Sequence, residues 1–152
     1  DELYFVPAFT GLGAPHWKSN AKASLSGITR TTGKAEIVRA GIECIAYQIT
    51  DVVRAMEADA GVKVKELRVD GGPTKNGYLM QFQSDILGGN VLVPDAEELS
   101  GIGVAYAAGI AMGIYTMDLF KLMKRKTYSK EMDENLREKK YKGWTKTVQG
   151  LE

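Results

Sequence analysis

Between Thr32 and Ala60 the apolar residues Ile37, Val38, Gly41, Ile42, Ile45, Ile49, Val52, Val53 and Met56 recur at spacings of three and four. That period gathers them on one face of a long helix, and such a helix needs a second layer to cover its stripe. Thr32 stands where a capping residue would, and Gly61 is placed to end the helix in the left-handed conformation that glycine adopts readily. The rest of the chain must therefore supply an apolar surface for this face.

The segments on either side have the look of strands and shorter helices. Leu3–Phe9 and Ala23–Thr29 are β-prone runs, parted by the loop-forming residues Thr10 to Pro15. Beyond Gly61, Glu66–Asp70 reads as a strand that runs into Gly71, Gly72 and Pro73, and a helix follows from Asn76 to Leu87, ended by Gly88 and Gly89. Asn90–Pro94 is a further strand closed by its proline. Glu97, Glu98 and Ser100 then offer acids and a cap to a helix dense in small residues that reaches Gly113. Each interior glycine costs about 1 kcal/mol of helix propensity, so a close packing partner is expected there. The order β, β, α, β, α, β, α predicts an α/β fold with parallel connections in its second half. Residues 1–115 form this unit. From Lys121 onward ten basic residues outnumber five acids, so residues 116–152 read as a helical basic tail of the same domain, solvated along its length.

Composition narrows the function classes. A chain of 152 residues, 44% hydrophobic and 26% charged, supports one domain with a core, and is neither two domains nor disordered. Twenty Lys and Arg against 19 Asp and Glu give no basic surplus, so neither nucleic acid nor a membrane is expected as partner. One cysteine and one histidine leave little for a disulfide, a multi-cysteine metal site or a Ser/His enzyme. There is no run of about 18 apolar residues to span a bilayer, and acids in Asp1–Tyr4 replace the basic start of a secretion signal, which favours a cytoplasmic setting. The chain opens with a strand-like run rather than a Met or a helix cap, and it reads as a piece of a longer polypeptide.

The sharpest local feature is the stretch Val69 to Gly77, with glycines at the carboxyl end of a strand and a helix just beyond. Glycine lets a ligand approach the backbone, and the free N–H groups of a helix amino end favour a phosphate. The same pattern also makes a purely steric turn, and it matches neither the P-loop nor the G-x-G-x-x-G spacing. Asp70 is open to two readings, a ligand of a metal-bound water or a turn cap. His16 reads as a loop-packing residue, Cys44 as a buried inert thiol, and Met80–Gln83 as core residues alternating with polar surface.

Several stretches carry a family likeness: Val6–Trp17 (VPAFTGLGAPHW), Arg39–Gln48 (RAGIECIAYQ), Leu67–Gly72 (LRVDGG) with Asn76, and Leu79–Leu87 (LMQFQSDIL). Together with Ser100 to Gly113 and Tyr141–Trp144 they resemble the carboxyl-terminal part of the FGGY carbohydrate kinases, and of the glycerol kinases among them. The resemblance implies part of a ribonuclease-H-like domain, the fold of actin, hexokinase and the Hsp70 ATPase, with a mixed sheet and flanking helices. It carries nucleotide contacts over to Gly71, Gly72 and Asn76, and it implies ATP and Mg2+ as cofactors. The family's catalytic aspartate, its Thr-Gly phosphate motif and most polyol-binding residues lie upstream of the matching segment. No catalytic residue is therefore assigned to this chain, which should be inactive alone. The intact enzyme would phosphorylate a hydroxyl of glycerol, its small polyol substrate held mainly by an amino-terminal domain.

Three departures stand in the first loop: His16 where the family has Tyr, Lys18-Ser19 where it has Asp-Pro, and Ala21-Lys22-Ala23 where it has Ala-Arg-Gly. They leave open another polyol or a ketose such as xylulose as the substrate. A non-catalytic nucleotide-binding or assembly module is the alternative from another class. A sheet without its opening strands has a free edge that invites self-pairing, so a homo-oligomer is expected.

Overall fold

The structure, a computed structural model, describes residues 2–96 and 99–151. Strands β1 (Tyr4–Val6) and β2 (Ser24–Ser26) form an antiparallel pair with Tyr4 opposite Ser26 and Val6 opposite Ser24. Helix α1 spans Lys34–Ala60 and is followed by β3 (Glu66–Arg68), a 3-10 turn (Gly72–Lys75), α2 (Gly77–Leu87) and β4 (Asn90–Pro94). Helix α3 (Leu99–Ala111), a second 3-10 turn (Met117–Leu122), β5 (Arg125–Tyr128) and α4 (Glu134–Gln149) complete the order. β4 is central in a mixed sheet, parallel to β3 and antiparallel to β5. The expected parallel connection runs through α2.

The ends of the helices follow local chemistry. Gly61 and Gly88 close α1 and α2 at φ 67° and 76°, conformations that glycine takes without strain. The amino end of α1 differs from expectation: the cap is Gly33, whose N–H donates to Glu36 Oε2 at 2.8 Å, while the Thr32 hydroxyl accepts from Thr29 N–H at 2.8 Å and serves the preceding turn. The acids Glu97 and Glu98, expected ahead of α3, lie outside the described residues.

The larger correction concerns which face of α1 is covered. Its buried residues are Ala40, Glu43, Cys44, Ala46, Tyr47, Thr50, Asp51 and Val53, whereas Ile37, Val38, Ile45, Val52 and Met56 of the apolar stripe are exposed. Tyr47 is the centre of the core. Its ring stacks on Trp144 at 5.1 Å and meets the edge of Phe82 at 5.4 Å, with Val6, Ile86, Val91 and Val148 filling the space around them. Cys44 is buried, as expected. Gln83 is buried too, against expectation, because its amide donates to Thr50 Oγ1 at 3.1 Å.

Residues 116–152 are not a solvated tail. They supply the edge strand β5 and a helix whose Trp144 is fully enclosed at 0% exposure. Asp85 fastens this segment from α2, its Oδ1 accepting from Glu131 N–H at 2.7 Å and Met132 N–H at 3.1 Å, and Asp133 caps α4. Within the described residues the small-residue helix packs only on the segment that follows it, Tyr106 meeting the edges of the Tyr115 and Phe120 rings at 6.3 and 5.7 Å. Among the residues of α3 only Gly109 is buried, against Tyr115, while Gly103 faces open space and Val104 is 72% exposed.

Candidate functional site

The carboxyl end of β3 leads directly into the glycine turn. Gly71 has φ 91°, a left-handed conformation in which a side chain would be strained, so the chain turns sharply out of the sheet at this point. The 3-10 turn is tied back to it: Thr74 donates to the Gly71 carbonyl through both its N–H at 3.1 Å and its hydroxyl at 2.7 Å. Asn76 N–H closes the turn on the Pro73 carbonyl at 3.0 Å. Helix α2 then begins with Asn76 as its cap, Oδ1 accepting from Leu79 N–H at 3.1 Å. The cap occupies the acceptor oxygen of Asn76 and not its amide donors.

Gly71, Gly72 and Asn76 thus sit in one turn at the junction of β3 and α2. A Cβ built on Gly72 would meet nothing within 4 Å, and one on Gly71 would meet only Pro73 Cδ at 3.9 Å. The turn is exposed, so a ligand can lie against its backbone. The amino end of α2 adds a partial positive charge there. This geometry suits a group that is flat against the backbone and carries negative charge close to a helix start. Asp70 is exposed beside the turn, and among the described residues no three His, Cys, Asp or Glu side chains converge to hold a metal.

Two residues behind the turn had drawn no notice in the sequence. Tyr78, in the first turn of α2, donates its hydroxyl to Glu43 Oε1 of α1 at 2.5 Å. Arg39 Nε lies 3.7 Å from the same oxygen. Burial, then the bond to Glu43, pushes the Tyr78 hydroxyl well above the usual phenol range, so it stays a donor. The Arg39–Glu43 spacing of one helical turn is legible in the sequence, but nothing local announces the partner 35 residues away.

The other candidates are structural. His16 Nε2 lies 2.8 Å from Asp51 Oδ2, as befits a loop-packing residue, and Tyr141 and Trp144 donate to the same buried carboxylate at 2.5 and 2.8 Å. Lys18 Nζ donates to the carbonyls of Val148, Gln149 and Leu151.

Comparison with known proteins identifies the family. The model of the FGGY family of carbohydrate kinases, C-terminal domain, matches residues 1–112. A glycerol kinase of Petrotoga mobilis is 49% identical over 150 residues, covering 97% of this chain and 30% of the relative. One of Halalkalibacterium halodurans is 45% identical over 157 residues, covering 100% and 31%. The crystal structure of Plasmodium falciparum glycerol kinase with ADP superposes with TM-score 0.87 at 38% identity, covering 97% of this chain and 30% of that one. The chain therefore spans about three tenths of the length of the relatives it matches. Its mixed sheet with flanking helices is the kinase fold of actin and hexokinase expected from the resemblance. A match over the greater part of the chain, on a fold that a solved glycerol kinase shares so closely, makes this chain a member of the FGGY family of carbohydrate kinases, within its C-terminal domain.

Proposed function

We propose that this chain is the nucleotide-binding part of a kinase that transfers the γ-phosphate of ATP to a hydroxyl of glycerol. The observation that carries the reading is the open turn from Gly71 to Asn76, uncrowded at Gly72 and set on the amino end of α2. Gly71 and Gly72 let the nucleotide approach the backbone, and the amide donors of Asn76 hold its adenosine end. The helix start contributes about 0.3 to 1 kcal/mol toward a nearby negative charge, enough to orient a phosphate. Mg2+ bound with the nucleotide would offset the charge of its phosphates. The base that accepts the hydroxyl proton and most of the polyol contacts belong to polypeptide outside these residues, so the chain alone turns over no substrate. A cytoplasmic setting goes with this reading.

Glycerol is favoured over a ketose such as xylulose by the 44–49% identity to glycerol kinases. Two of the loop departures serve packing, since His16 binds Asp51 and Lys18 binds carbonyls at the end of α4, while Lys22 and Ala23 are exposed. The uncovered apolar side chains of α1 and α3 support self-association of the isolated chain, which sedimentation velocity would detect.

The test is an amide NMR titration of the chain with Mg-ATP and Mg-ADP. Shifts centred on Gly71, Gly72 and Asn76 are expected. A folded spectrum that does not respond would remove nucleotide binding from this chain.

A further inference from the structure

Glu43 is a carboxylate in the middle of α1 with 4% of its surface exposed. A buried charge costs several kcal/mol unless it is matched by partners, so its surroundings are informative. Its partners are the Arg39 guanidinium, one turn back on α1, and the Tyr78 hydroxyl of α2 at 2.5 Å. Tyr78 lies two residues beyond the cap Asn76, and its ring is stacked on Phe82, one turn further along α2, at 6.1 Å and 9°. Phe82 is itself in the core against Tyr47. The first turn of α2 is therefore held on one side by a ring stack and on the other by a hydrogen bond to a charge fixed on α1.

The glycine turn is braced within itself by the bonds from Thr74 to the Gly71 carbonyl and from Asn76 N–H to the Pro73 carbonyl. Gly72, Pro73 and Asn76 are exposed, and a Cβ built on Gly72 would meet nothing within 4 Å. Where this braced turn stands relative to α1 is set by the element it leads into, the first turn of α2. We propose that Glu43 and Tyr78 are positioning residues for the nucleotide turn: the Tyr78–Glu43 bond fixes the amino end of α2 against α1, so that Gly72 and the Asn76 amide stand ready before the ligand arrives. The inference rests on the nucleotide reading of that turn, and it adds two residues that need not touch the nucleotide.

The experiment compares the intact 152-residue chain with Tyr78→Phe, Glu43→Gln and Glu43→Ala, measuring melting temperature, amide shifts of the free protein and Mg-ADP affinity. Tyr78→Phe keeps the ring stack and removes only the bond, and it should move the free-state amides of Gly71, Gly72 and Asn76. It should also weaken Mg-ADP about ten-fold, the scale of one hydrogen bond to a charged group. Glu43→Gln keeps an acceptor for Tyr78 and should hold affinity within about two-fold, whereas Glu43→Ala should behave like Tyr78→Phe or worse. A Tyr78→Phe protein that melts lower but keeps wild-type turn shifts and affinity would overturn the proposal, because the bond would then be structural only. If the wild-type chain binds no Mg-ADP, the nucleotide reading fails by itself, and the free-state shifts of the turn still decide whether the Tyr78–Glu43 bond sets its shape.

Discussion

Trp144 Nε1 donates a 2.8 Å hydrogen bond to Asp51 Oδ2, joining α4 to α1 across 93 residues of sequence. The same indole stacks on Tyr47 and has no exposed surface, so one side chain both fills the core and satisfies an oxygen of a buried carboxylate. Trp144→Phe should keep most of the packing but leave Asp51 short of a donor, at a cost of about 1–3 kcal/mol. Trp144→Ala adds a cavity and should cost about 3–5 kcal/mol, close to the whole stability of a small domain. Urea denaturation followed by circular dichroism distinguishes the two. Equal, small losses would mean that α4 is not part of the core.

The two glycines of the turn should respond differently. Gly71 adopts φ 91°, so Gly71→Ala strains the backbone and should lower stability by about 1 kcal/mol or more. Gly72 has open space around its missing side chain, so Gly72→Val should melt near the wild-type temperature and yet lose Mg-ADP binding by steric block. Thermal melts paired with calorimetric titration check both. Retained binding in Gly72→Val would move the ligand away from this face.

The contrast between those predictions and the core shows where a sequence is informative. Gly61, Gly88 and the strand–glycine–helix passage at Gly71 are local signals, carried by residues next to one another, and they marked the helix ends and the turn. The covered face of α1 is a nonlocal property. Periodicity finds an apolar stripe, but Glu43, Thr50 and Asp51 are buried because Tyr78, Gln83, His16, Tyr141 and Trp144 reach them from other elements. Strand β5 escaped notice because an edge strand of Arg125, Lys126 and Thr127 faces water and shows no apolar alternation. At the site itself the glycines and Asn76 were legible, while Tyr78 and Glu43 were not, since their bond exists only once α1 and α2 are packed.

Lys18 offers a test of how the first loop is held. Its ammonium donates at 3.2, 2.9 and 2.6 Å to the carbonyls of Val148, Gln149 and Leu151, using all three of its protons at the negative end of α4. Lys18→Met preserves the aliphatic stem and removes the charge. It should cost about 1 kcal/mol and speed hydrogen exchange in the last turn of α4, with the turn from Gly71 to Asn76 unaffected. Unchanged exchange near Val148 would show that the clamp contributes nothing in solution.

Cys44 makes the pH dependence of the core measurable. Burial pushes its thiol from the usual 9.0 up to about 11, because the thiolate loses its hydration inside the fold. The folded chain therefore holds this proton more tightly than the unfolded chain. The resulting contribution to stability is complete below 9.0 and is lost as the pH rises from there through about 11. Denaturation at about pH 8 and about pH 10.5 should show a fall in stability that is smaller in Cys44→Ala, where this linkage is gone. Alkylation gives an independent reading: at about pH 8 iodoacetamide should modify native Cys44 far more slowly than the urea-unfolded chain, since both thiolate and access are scarce in the fold. Rapid alkylation of the native chain, together with an identical pH response in Cys44→Ala, would place the thiol at the surface and contradict its position between α1 and the core.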